Sequence, residues 1–208
     1  MKTNFLKLSL LALVLFTASC SSDDDKDTTT EVVVTTKVSD LNAPQTGGGQ
    51  AGAASGEFTR FSFSENKIVT TDKWDIAFRG TVIIVNGGVK VNVDDSGEPA
   101  RTGSGAISTV SNTFGAVTTF PAASTFKQDA ATVYSIPAVA GQGWYNYANT
   151  IISPIAGKVF VVKTHDGKYA KFEILSYYKG APATPAADST PRYYTFNFAY
   201  QANSTTTF

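Results

Sequence analysis

Few side chains in this chain can donate a lone pair to a metal or attack a substrate. The sequence contains one histidine, one cysteine and one methionine, the last being Met1. A zinc site made of Cys and His therefore lacks ligands, and a Ser-His-Asp nucleophile would have to use His165. His165 precedes Asp166 and Gly167, which are typical of tight turns, so a solvated turn histidine is favoured over a catalytic one. The sequence predicts no catalytic residue and no enzyme, and it leaves His165 as the least unfavourable metal ligand.

Carboxylates cluster around Gly97, where Asp94, Asp95 and Glu98 could be taken for a calcium loop. Their spacing does not match the twelve-residue EF-hand pattern, and carboxylates beside a glycine are ordinary turn residues. We therefore interpret this segment as a turn.

Aromatic residues are concentrated at Gly143–Tyr147, where Trp144, Tyr145 and Tyr147 fall within four positions. In a strand, Trp144 would face one side while Tyr145 and Tyr147 face the other. One interpretation, favoured by the residues alone, buries Trp144 in the core and leaves the tyrosines at its rim. The other is that one face lines a cleft for a flat or ringed ligand.

The first residues have the pattern of a secretory leader. Lys2 and Lys7 flank the start of the segment, an apolar run covers 8–18, and small residues lead to Cys20. The run is shorter than the roughly 20 apolar residues that span a bilayer. Small residues before a lone cysteine resemble a lipobox, although Thr17 stands where leucine is commoner. This resemblance implies cleavage before Cys20 and a lipid on its sulfur, which holds the protein to a membrane.

Behind Cys20 comes an acidic run, Asp23–Asp27, followed by threonines. Such a run cannot bury apolar surface and should be a solvated tether. Without residues 1–19 the chain has 189 residues, and because only Lys2 and Lys7 are lost, 15 Lys plus Arg face 17 Asp plus Glu. This balance points away from nucleic acid. We predict a signal peptide at 1–19, an acidic and Gly-rich tether with one N-terminal strand at 20–56, and one β domain at 57–208.

The elements that must position these residues are strands throughout. Apolar residues alternate with polar ones at 74–79, 170–174 and 194–200, as half-buried strands require. Residues 159–162 are apolar on both faces, which predicts a doubly covered strand near the middle of a sheet. The fold class predicted is mainly β and antiparallel, with few short helices, one of them within Ser124–Tyr134.

Two glycine turns are predicted to join neighbouring strands as hairpins. Asn86-Gly87-Gly88 separates Val82–Val85 from Val89–Val93, and Asp166-Gly167 separates 159–164 from 169–175. Both pairs should be antiparallel.

Several segments together resemble the HmuY family of Bacteroidetes surface lipoproteins. The resemblance covers roughly 57–200, and its segments are Phe61–Phe63, Lys73–Phe78, Gly143–Trp144, Gly157–Lys163 with Asp166–Tyr178, and Tyr193–Tyr200. The acidic run behind Cys20 also resembles the signal that exports such lipoproteins to the outer face of the outer membrane.

The resemblance implies a single antiparallel HmuY-like domain that captures haem as a haemophore and passes it to a TonB-dependent receptor. Studied members hold the iron with paired histidines or paired methionines, which this chain lacks. The position that matches one ligand is Asn149, and the region of the second ligand offers Tyr134. An imidazole or a thioether binds haem iron through a lone pair, whereas Asn149 gives at best a hydrogen bond.

We therefore expect a candidate ligand pocket formed by Trp144, Tyr145, Tyr147, Asn149 and Tyr134. Three outcomes stay open: haem held by tyrosine or by apolar stacking, a metal-free porphyrin or other ringed ligand, or no tetrapyrrole. The alternative function is that of an accessory or adhesive surface lipoprotein with a protein or glycan partner.

Overall fold

The protein was analysed as a computed structural model that describes residues 33–203 and 205–208. The predicted leader, Cys20 and the acidic run lie outside the described residues. The strands are β1 (Thr35–Asn42), β2 (Thr59–Ser62), β3 (Lys67–Ile68), β4 (Ile76–Arg79), β5 (Val82–Val85), β6 (Ala106–Ser111), β7 (Tyr145–Ala148), β8 (Ile151–Pro154), β9 (Lys158–Lys163), β10 (Tyr169–Tyr178) and β11 (Pro191–Gln201). Short 3-10 turns occur at Gly49–Ala51, Phe114–Ala116 and Ala123–Thr125.

The strands form two main sheets and one separate hairpin. The larger sheet has the order β1-β11-β10-β9-β6, the smaller has the order β3-β2-β4-β5, and β7 pairs with β8. Neighbouring strands are antiparallel throughout, so the predicted mainly β, antiparallel fold class is confirmed. Because β1 pairs along β11, the sheet includes residues that precede position 57. Among the described residues, no helix is long and apolar enough to span a bilayer.

The core lies between the inner faces of the two sheets. Aromatic rings from both sheets meet there, with Phe61 5.4 Å from Phe196 and Phe78 4.7 Å from Tyr194, measured between ring centroids. The predicted alternation of 194–200 places Tyr194, Phe196 and Phe198 in this core. Edge-to-face and tilted ring pairs of this kind stabilise a core beyond the area that they bury.

Smaller apolar clusters cover the outer faces of both sheets. Val159 and Val161 of β9 pack outward with Val117, while Phe160 and Val162 face the main core, which explains why this strand is apolar on both parities. It is an interior strand, between β10 and β6. Trp74 departs from the predicted alternation, since it packs with the outer cluster and not with Ile76 and Phe78.

The glycine turn at Asp166-Gly167 joins β9 to β10 as predicted, whereas the hairpin predicted at Asn86-Gly87-Gly88 is wrong. Strand β5 pairs with β4 across Gly80-Thr81, and no strand occupies 89–93. Gly87 instead lets the backbone at Gly105 come close, because a Cβ on Gly87 would lie 1.8 Å from the Gly105 carbonyl oxygen. The helix predicted within Ser124–Tyr134 is reduced to the 3-10 turn at Ala123–Thr125.

A buried carboxylate fastens the two sheets to each other. Asp75, just before β4, accepts hydrogen bonds at Oδ1 from the backbone N–H and from Nδ1 of His165, both at 2.8 Å, and at Oδ2 from Phe63 N–H at 2.7 Å. A carboxylate can only accept, so Nδ1 must carry the proton. The His165 side chain is 17% exposed. The interpretation as a solvated turn histidine is therefore wrong, because a residue of the β9–β10 turn is bound to the other sheet.

We expect Gly87→Ala to destabilise the fold by about 2–3 kcal/mol, because the added methyl group overlaps a backbone oxygen that has no room to move. Gly115→Ala is the matched control, since nothing lies within 4 Å of its added Cβ, and it should change the free energy of unfolding by less than about 1 kcal/mol. Urea unfolding followed by tryptophan fluorescence measures both. Equal stability of the two variants would contradict the close approach at Gly87.

We expect His165→Ala to lower the free energy of unfolding by about 1–3 kcal/mol, because it removes a donor from a buried carboxylate. His165→Asn should recover most of this loss, since the Asn amide nitrogen takes nearly the position of Nδ1 and can donate to Asp75. Urea unfolding at neutral pH compares the two. If Ala and Asn were equally stable, the side-chain bond to Asp75 would have no role in fastening the sheets.

Candidate functional site

The candidate site begins at β6, the edge strand of the larger sheet. The free edge of β6 is partly covered by the segment 122–137, because Ile107 and Lys127 exchange two backbone hydrogen bonds of 2.8 Å. The hydroxyls of Ser108 and Thr125 lie 2.7 Å apart in the same contact. The segment therefore follows β6 for a short distance and then leaves it.

Asp129 determines where the segment goes next. One of its carboxylate oxygens accepts from Val85 N–H of β5, and the other accepts from the N–H and the hydroxyl of Ser135. Between them, Ala130 and Val133 exchange two backbone hydrogen bonds of 2.9 Å. Asp129 thus closes residues 129–135 into a tight loop, which holds Tyr134 next to the smaller sheet.

Buried ion pairs stabilise this loop. Arg101 contacts Glu98 at 2.7 Å and Asp129 at 3.0 Å, and all three side chains are almost fully excluded from solvent. Arg79 pairs with Asp95 at 2.5 Å. Asp95 and Glu98 are thereby engaged in ion pairs, and Gly97 N–H donates to Asp95 within a turn. Among the described residues, no group of three or more His, Cys, Asp or Glu is arranged to hold a metal.

Between β6 and the loop lies a cavity of about 550 Å³, which we call the β6 cleft. Ligand sites commonly measure ~300–1,000 Å³ and combine apolar walls with a few polar groups. The cleft is lined by Ile107, Ser108, Thr109, Thr125, Lys127, Val133, Tyr134, Ser135, Pro137 and Gln142. Its lining has this mixed character, because β6 and the loop each contribute both hydroxyl-bearing and apolar residues.

Four polar side chains of the lining have no hydrogen-bond partner among the described residues: Thr109, Lys127, Tyr134 and Gln142. Lys127 is exposed and is the only charged side chain among the described lining residues. The Tyr134 pKa is raised, first by burial and then by the negative charge of Glu98. Tyr134 therefore lines the cleft as a neutral phenol, and its side chain packs against the outer cluster of the smaller sheet.

Of the five residues predicted to form one pocket, only Tyr134 lines the β6 cleft. Trp144 is in the core, where its Nε1 donates to Thr81 O at 2.8 Å. Tyr145 is also buried, and its hydroxyl lies 3.3 Å from Ala138 O. Tyr147 is 59% exposed, and Asn149 lies in the turn between β7 and β8 with φ of +50°.

The reason for this separation is that β7 begins in the core and leaves it within two residues. Tyr145 and Tyr147 share a face of the strand, as their spacing predicts, but β7 is exposed beyond Tyr145, while Ile151 and Ile152 of β8 pack against the main core. Asn149 lies in a left-handed turn conformation, which asparagine adopts more readily than most residues.

Lys127 is the lining residue that sequence reasoning missed. It lies within the segment where the family resemblance places the second iron ligand, but a search for lone-pair donors passes over a lysine. His165 is not among the lining residues of the cleft.

Comparison with known proteins shows to which protein family the chain is related. The HmuY protein family model matches residues 54–198, which is more than half of the sequence. No curated protein matches the chain significantly.

Solved structures are similar only at low identity. A candidate lipoprotein from Bacteroides fragilis NCTC 9343 is 15% identical with a TM-score of 0.46, over 79% of this chain and 86% of that one. A candidate HmuY-like haem-binding protein from Bacteroides vulgatus ATCC 8482 is 14% identical with a TM-score of 0.45, over 80% and 90%. The apo form of an HmuY analogue from Tannerella forsythia is 16% identical with a TM-score of 0.43, over 82% and 96%.

The match to the family model covers the Trp74 segment, the β9–β10 hairpin and most of β11, which are the segments on which the resemblance was based. The chain therefore belongs to the HmuY family.

Proposed function

We propose that this protein is a haemophore-like capture protein that binds a haem-type tetrapyrrole in the β6 cleft. The observation that carries the proposal is a cavity of about 550 Å³, lined by Tyr134 and Lys127, in a chain of the HmuY family. A flat ring could pack against the exposed apolar side chains of Val133 and Pro137 while its polar edge meets the hydroxyls. The proposed role is binding, with no chemical step.

Fixed walls support this proposal. Asp129 and the ion pairs behind it hold the loop that carries Val133 and Tyr134, and β6 forms the opposite wall. A cavity that exists before the ligand arrives avoids the entropy cost of ordering its loops on binding. Capture from a dilute environment benefits from such a preformed site.

The proposal includes a lipid anchor on Cys20 and attachment to the outer membrane, with the domain facing the cell exterior. In this position the protein could meet free ligand first and transfer it to a TonB-dependent receptor. The support is the apolar leader, the small residues before Cys20 and the acidic run that follows.

A haem titration of the detergent-purified chain tests the function and its location together. We expect a saturable change in the Soret band with one haem bound per chain. Thr109→Trp should fill the cleft and raise the dissociation constant at least about tenfold, since bulky side chains exclude a ligand from a packed site.

Ser111→Trp is the matched control, since Ser111 is exposed on the same strand and lies outside the cleft lining. It should leave the dissociation constant within about twofold of the original chain. Equal haem dissociation constants for the two tryptophan variants would show that haem does not bind in the cleft. A chain that stays colourless at all haem concentrations would remove haem capture and favour an accessory or adhesive surface role.

A further inference from the structure

The donors of the β6 cleft do not fit the axial ligation of iron. Its lining contains no His, Met or Cys, and the only imidazole of the chain, His165, is bound to Asp75 away from this lining. A lysine ammonium has three N–H groups and no lone pair. Tyrosine ligates iron as a phenolate, and burial beside Glu98 keeps the Tyr134 pKa above its ordinary value.

The same groups fit a different part of such a ligand. Lys127 Nζ and the Tyr134 hydroxyl both donate hydrogen bonds, and neither has an acceptor among the described residues. Lys158, by contrast, has its Nζ bonded to the carbonyls of Gln142 and Gly143. An ammonium and a phenol at the wall of an apolar cavity form a site for an anion, and the charge-assisted bond to a carboxylate is the strong one.

We infer that the β6 cleft recognises the carboxylates of a flat ring ligand through Lys127 and the neutral Tyr134 hydroxyl, and that it binds the ring without regard to its metal. The ligand class is a carboxylate-bearing macrocycle, with or without iron. This inference rests on the proposed function, because it specifies which chemical groups of the captured ligand the cleft contacts.

The hydroxyls of the lining are consistent with this role. The Ser108 and Thr125 hydroxyls bond to each other, and the Ser135 hydroxyl donates to Asp129. They stabilise the walls and leave recognition of charge to Lys127. Because Lys127 stands alone as a charge in the described lining, replacing it should remove the preference for an anionic ligand without dismantling the cavity.

The test compares three probes on the full chain: haem, iron-free protoporphyrin IX and protoporphyrin IX dimethyl ester. We expect haem and the iron-free acid to bind within about threefold of each other, and the ester about tenfold more weakly, because esterification removes the charge that strengthens the hydrogen bond. Quenching of protein fluorescence measures all three on one scale.

Variants test which residues cause the preference for the acid over the ester. Lys127→Ala should weaken the acid about tenfold and abolish the preference for acid over ester, while Lys127→Arg should retain it. Lys163→Ala, on the neighbouring strand and outside the cleft lining, should behave as the original chain. Tyr134→Phe should weaken haem and the iron-free acid by the same small factor.

The outcomes separate this inference from the proposed function. If haem binds and the iron-free acid does not, or if Tyr134→Phe abolishes haem binding alone, capture stands but recognition is by the metal and the inference is overturned. Equal affinity for acid and ester also overturns it. If no probe binds, the proposed function itself fails.

Discussion

The geometry of the candidate site depends on one buried carboxylate, that of Asp129. It accepts hydrogen bonds from β5 on one side and from Ser135 on the other, and it pairs with Arg101. Without it, residues 129–135 would lose the closure that holds Tyr134 opposite β6. Removing one partner of a buried pair leaves an uncompensated charge, which typically costs about 3–5 kcal/mol. The cleft wall is therefore as fixed as the core behind it.

The buried ion pairs position the loop at 129–135 in a way that apolar packing alone would not. Taking Arg101, Glu98 and Asp129 out of water is costly, and the ion pairs return the cost only because each oxygen and N–H is directed at a partner. Directed bonds specify one loop conformation, whereas apolar side chains of similar size would allow several. Burial and, after it, the negative charge of Glu98 raise the Tyr134 pKa, so the network that shapes the cleft also favours the neutral phenol.

The sequence was informative where a single local rule decides the structure. Apolar alternation predicted β10, β11 and the doubly covered β9, and the Asp166-Gly167 turn joined β9 to β10. Prediction from the sequence failed where a long-range contact competes with the local rule. Asn86-Gly87-Gly88 has the composition of a hairpin turn, but its glycines accommodate the backbone around Gly105. Sequence also placed Tyr145 and Tyr147 on one face, while their burial depends on where the hairpin leaves the core.

The histidine shows why site prediction from one sequence is harder than fold prediction. A histidine beside Asp-Gly is usually solvated, and nothing local indicates that Asp75, 90 positions earlier, will accept from its Nδ1. Once that bond is known, the one imidazole of the chain has a structural role in joining the two sheets. The site must then be built from what remains, an ammonium and a neutral phenol. Under the proposed function, donors of this kind suit the organic part of the ligand, because the carboxylates of a ring, unlike its metal, need only N–H and O–H groups opposite them.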